Sequence, residues 1–162
     1  MPVNTKAKVR RDGDLLSEAL KLVRRHRGMT APQVAASMRM ALRTYERFEA
    51  GDSRLNVDYI HRFAGATNSD PYAIIMAVTV GSPELARRCA DNKLITTLTI
   101  GAQRLDHLLG EQMQSLEARA IIVAVCGMFD QLVTHSDEQQ IASRWLKTGE
   151  ADLRAVRPRP GR

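Results

Sequence analysis

The chain is poor in the residues from which reactive centres and covalent frameworks are built. Aromatic residues make up 4% of it, and two cysteines, Cys89 and Cys126, stand alone without CxxC or Cys/His spacing. That pattern excludes a disulfide scaffold and a zinc knuckle, and predicts two buried free thiols in a reducing compartment. The four histidines, His26, His61, His107 and His135, share no HxxxH or HExxH spacing, so no metal site is expected. A GxSxG elbow, a phosphate-cradling glycine loop and a dinucleotide fingerprint are all missing, which argues against an enzyme and against any cofactor. The longest apolar run, "AIIVAVCGMF" at 120–129, is shorter than the roughly 20 residues that a membrane-spanning helix needs. The opening "MPVNTKAKVRRDGD" has no apolar core of the kind a secretory signal carries. These absences lead us to expect a soluble cytoplasmic protein.

What is present is an ordinary globular mixture, 44% apolar and 26% charged over 162 residues. That length is enough to bury a real core in one or two domains. The charge is uneven. Residues 1–80 hold 13 Lys+Arg against 8 Asp+Glu, and residues 81–162 hold 11 against 10. A basic first half points to an anionic partner there, with nucleic acid the leading candidate.

Apolar spacings of three and four predict an all-α chain. Leu15, Leu16, Ala19, Leu20 and Val23 trace a first helix stopping near Gly28. "TAPQ" is a capping box with Thr30 as cap and Gln33 as its third helical residue. A third helix, 41–50, closes at Gly51. Asn56 caps a fourth, and Asp70 with Pro71 opens a fifth. Ser82-Pro83-Glu84 predicts a short sixth helix over 83–91, followed by a leucine-striped helix ending at Gly110. A helix over 111–134 should be covered on several sides where it is apolar all round; a strand is the competing reading of "IIVAV". "SDEQ" at 136–139 predicts a fresh helix start, and 149–162 a flexible basic tail.

"MRMALRTYERFEAG" at 38–51 splits into two faces when wound as a helix. Tyr45 and Phe48 lie behind, and Leu42, Arg43, Glu46 and Arg47 lie in front. The front could be a wet helix face whose arginines pair with Glu46 and Asp52. It could equally enter a DNA major groove, where arginine makes two hydrogen bonds to guanine.

Residues 15–79 resemble the lambda-repressor-like, or XRE-type, helix-turn-helix family. The resemblance rests on Thr30, Val34-Ala35, Met38, the turn Arg39-Met40, and a second helix from Ala41 to Glu49-Ala50-Gly51. It implies a five-helix DNA-binding domain over 13–80; it does not extend to 81–148, whose surplus of apolar helical surface is read separately as a helical dimerisation or interaction domain. It carries base reading onto Leu42, Arg43, Glu46 and Arg47. It places Thr30, Gln33, Arg39, Thr44 and Arg54 against the DNA backbone. A basic arm, 1–12, adds Lys6, Lys8, Arg10 and Arg11, unless it is only a disordered leader. A first-helix arginine of this family pairs with the glutamate of Glu-x-Gly, which here means Arg24 with Glu49. Arg39 stands where the turn often has glycine, and a left-handed conformation there should cost about 1 kcal/mol.

The function expected is a transcriptional regulator, a repressor, binding a pseudo-palindromic site in double-stranded DNA as a homodimer through 81–148. The alternative is a DNA-tethered adaptor whose C-terminal helices hold another protein, a toxin or a co-regulator.

Overall fold

The computed structural model describes residues 10–155, with side chains through Thr148. It is all-helical, and no strand occurs among the described residues. The elements are α1 (Asp12–His26), α2 (Ala31–Ser37), α3 (Leu42–Glu49), α4 (Val57–Thr67), α5 (Pro71–Thr79), α6 (Pro83–Arg88), α7 (Leu94–Leu109), a 3-10 segment (Gly110–Ser115) and α8 (Ala118–Ala155). They divide into two units, one running to Leu108 and the other starting at Leu109.

Local chemistry explains the early boundaries. Thr30 Oγ1 accepts from the Gln33 amide, and Gln33 Oε1 accepts from the Thr30 amide at 2.8 Å, closing both halves of the box. Asn56 Oδ1 accepts from the Tyr59 amide at 3.1 Å and starts α4. The inward stripes of the six helices α1–α6 then meet in one core, built on Leu16, Leu20, Val23, Val34, Tyr45, Phe48, Ile60, Phe63 and Ile74. Phe48 and Phe63 are almost wholly buried, and burial of such a ring contributes about 1.5–3 kcal/mol.

The first unit does not end near residue 80, as the sequence pattern suggests. Segment 83–91 packs on α1 and α5, with Ala86 inside the same core. Alanines at 86 and 90 let the backbones approach closely, and Asp91 accepts from Arg27 at 2.7 Å and lies 3.3 Å from His26. The Arg27 and His26 hydrogen bonds hold the Asp91 carboxyl below the usual carboxylate range. Asp70 extends the unit further. Its fully buried carboxylate caps α5 through the amides of Tyr72 and Ala73, and accepts from the Thr96 amide at 3.0 Å and the Thr96 hydroxyl at 2.7 Å. One carboxylate therefore ties the start of α5 to the start of α7. Cys89 packs beside it with Ala73 and Ile95; burial, then the Asp70 charge, pushes that thiol up.

The second unit departs from the expected pattern more strongly. Residues 110–115 form a 3-10 turn, and α8 runs unbroken through Ser136, where a new helix was expected. No glycine or proline interrupts 128–148, and Asp137, Glu138 and Gln139 continue a helix as readily as they start one. The helix also passes residue 149, the expected start of the tail. The apolar stretch 120–129 is not covered: Ile121, Ile122, Val123, Val125 and Phe129 are exposed, and so is Cys126, contrary to the expected buried thiol. By length and composition Ala118–Thr148 could cross a membrane, since α8 is far longer than the apolar run within it.

Candidate nucleic-acid interface

The first unit presents α3 through a turn whose backbone bonds are satisfied twice over. Arg39 takes the left-handed conformation, φ 51°. Its amide donates to Ala36 O at 2.9 Å and the Met40 amide to Ala35 O at 3.0 Å, the paired bonds of a Schellman turn. From α4, the Arg62 guanidinium donates to the carbonyls of Met38 and Arg39 while lying over the Tyr59 ring. Arg62 is a clamp on the turn, and its spacing from residues 38 and 39 gives no sign of that in the sequence.

Behind α3, Tyr45 and Phe48 are buried, and Phe48 meets the rings of Tyr59 and Phe63 edge-on at 5.6 and 6.3 Å. The α3 carboxylate Glu49 faces inward to α1. Arg24 Nε donates to Glu49 Oε1 at 2.6 Å and Arg24 Nη2 to Oε2 at 3.2 Å, a two-pronged contact. Arg24 Nη1 also donates to Met29 O at 3.1 Å, and the Tyr45 hydroxyl donates to Glu49 Oε1 at 2.8 Å. The Glu49 contact raises the Arg24 pKa. Burial first, and then the bond to Glu49, pushes the Tyr45 phenol well above its ordinary range. The Tyr45 hydroxyl is a third member of this group that helical spacing alone would class as a plain core ring.

In front, Leu42, Arg43, Thr44, Glu46 and Arg47 are all exposed. Arg39, Arg43, Arg47 and Arg54 make no ion pair among the described residues, so the wet-face pairing with Glu46 and Asp52 does not form. Ala41, Arg43, Thr44 and Arg47 border a hollow of about 490 Å³ together with Ser53 and Tyr59. At the start of α2, Thr30 and Gln33 are exposed. Capping uses their oxygens as acceptors and leaves the Thr30 hydroxyl proton and the Gln33 amide N–H groups free to donate.

Of the basic residues of the arm, only Arg10 and Arg11 lie among the described residues, and both are engaged. Arg10 pairs with Glu18, and Arg11 holds Asp14 through two contacts of 3.1 Å, so both lie against the first turns of a helix that already begins at Asp12. The Arg11 hydrogen bond keeps the Asp14 carboxyl below its usual range. Lys6 and Lys8 lie outside the described residues. No cluster of metal-ligating side chains is present among the described residues. No family model, curated protein or solved structure matches the chain.

Proposed function

We propose that the chain is a sequence-specific DNA-binding regulator of the lambda-repressor-like type, with α2 and α3 as its helix-turn-helix. The observation that carries this reading is the contrast between the two sides of α3. Its rear is fixed by Tyr45, Phe48 and the Arg24–Glu49 contact, while its front holds out Arg43 and Arg47 with no ion-pair partner among the described residues. A rigid helix with unpaired arginines suits the major groove, where guanine offers O6 and N7 side by side. The side chains of Thr30, Gln33, Arg39, Thr44 and Arg54 are suited to phosphates on either side.

One such domain contacts few base pairs. Two copies on a pseudo-palindrome, with half-sites about 34 Å apart, roughly add their binding energies. Repression then requires only that the bound dimer exclude polymerase from an overlapping promoter, in the cytoplasm where the DNA lies.

The test begins with a bound-DNA map or selection from random duplexes, followed by binding of Arg43→Ala and Arg47→Ala to the selected site. Loss of a guanine contact should weaken binding by about 1–3 kcal/mol and relax one position of the site, with unchanged circular dichroism. If both variants bind like the unaltered protein, α3 is not the reading helix.

A further inference from the structure

We propose that the apolar stripe of α8 is covered by the α8 of a second copy of this chain, running antiparallel, with the two-fold axis beside residue 127. The proposal rests on the dimeric part of the reading above, but its test needs no DNA.

From Leu109 to Thr148 no described residue is fully buried. Ile122, Val125, Phe129 and Leu132, spaced three, four and three apart, form one stripe and are 61, 42, 41 and 47% exposed. A helix with so much bare apolar surface is not held in water by its own hydrogen bonds.

Lipid fits this stripe poorly. The positions that continue its spacing are Ala118 on one side and Ser136, Gln139 and Ser143 on the other. The apolar part therefore spans roughly 16 Å of helix, about half of a bilayer's hydrocarbon core. A span long enough to cross would take Asp137 and Glu138 into hydrocarbon.

A second copy fits it well. Antiparallel pairing about residue 127 sets Ile122 against the second copy's Leu132, and Val125 against its Phe129. Each layer then holds a similar volume, whereas parallel pairing would put Phe129 on Phe129 and Val125 on Val125. Arg119, on one edge of the stripe, faces Asp137 of the other copy, and the opposed helix dipoles add to the attraction. Cys126 lies on that same edge, so the two exposed Cys126 thiols meet near the axis.

The full-length chain at tens of micromolar should sediment at twice its 18.0 kDa mass. A mild thiol oxidant such as diamide should link the dimer through Cys126, and Cys126→Ser should abolish the link. The double variant Val125→Asp/Phe129→Asp should sediment as a monomer. A monomeric unaltered chain, or a double variant that remains dimeric, would overturn the proposal. So would a dimer that diamide leaves unlinked, because the axis would then lie elsewhere. Flotation with vesicles of phosphatidylcholine and phosphatidylglycerol, lost in the double variant, would show that lipid covers the stripe instead. None of these outcomes bears on Arg43 or Arg47, so failure here leaves the α3 assignment standing.

Discussion

Gly13, in the first turn of α1, and Gly51, just past the end of α3, approach so closely that neither can carry a side chain. A Cβ added to either residue would overlap the other's carbonyl oxygen. Gly51 also sits at φ +74°, where a side chain is strained whatever the space. This contact and the Arg24–Glu49 pair fasten α3 to α1 at two separate points.

Substitution should separate those two burdens. Gly28 has φ +63° and open space around it, so Gly28→Ala should cost only the conformational term, about 1 kcal/mol. Gly13→Ala carries only the overlap, about 1–3 kcal/mol for overpacking, and Gly51→Ala carries both. Thermal melts of the full-length variants should therefore rank Gly51→Ala as the most destabilised. Equal melting of Gly51→Ala and Gly28→Ala would mean that the backbones part without cost.

The Arg24–Glu49 pair predicts non-additive behaviour. The two side chains are 16% and 9% exposed, so removing one leaves the other's charge largely out of water. Glu49→Ala should cost about 3–5 kcal/mol if burial were complete, and somewhat less at this exposure. Arg24→Met with Glu49→Leu leaves no lone charge and should recover most of the loss. A double-mutant cycle by urea denaturation measures the coupling. Additive losses would show that the two residues act independently.

Tyr45 makes stability fall in alkali. Its phenol is held above the ordinary value of about 10 in the folded protein, so the folded state keeps that proton more tightly than the unfolded chain. Its contribution is complete below about pH 10 and is lost as pH rises from there toward the folded-state value. Urea midpoints at pH 8 and pH 11 should differ, and Tyr45→Phe should narrow the difference. If the difference is the same in the variant, other groups carry it.

Local punctuation was the most legible part of this fold. The Thr30–Gln33 box, the Asn56 cap and Asp70-Pro71 each act within four residues, so spacing alone locates α2, α4 and α5. Contacts that join distant segments leave no such trace. Arg24 and Glu49 are 25 residues apart and came into view only through a family resemblance. Thr96 on Asp70, Arg62 on the α2–α3 turn and Gly13 on Gly51 were not visible at all. Ala86 is a core residue too small to stand out in an apolar pattern, so the sequence carries no sign that α6 belongs to the first unit. In α8, Ser136-Asp-Glu-Gln suits a helix start and a wet helix face equally, and only the fold decides between them.

Arg39 offers a way to separate stability from recognition. It is exposed and left-handed at φ 51°, and only its backbone is engaged, through its amide to Ala36 and its carbonyl to Arg62. Glycine adopts that conformation without the Cβ penalty, so Arg39→Gly should stabilise the first unit by about 0.5–1 kcal/mol despite its larger unfolded-state entropy. For a domain of this size that corresponds to a rise of a few degrees in melting temperature. The same substitution removes a cation from beside α3. If Arg39 meets a phosphate, binding should weaken evenly across DNA sequences and the salt dependence should flatten by about one unit of slope. A more stable protein that binds less tightly, with its site preference unchanged, is the expected result. Lower stability would mean that the arginine side chain supports the turn, and an unchanged salt slope would remove Arg39 from the DNA-facing surface.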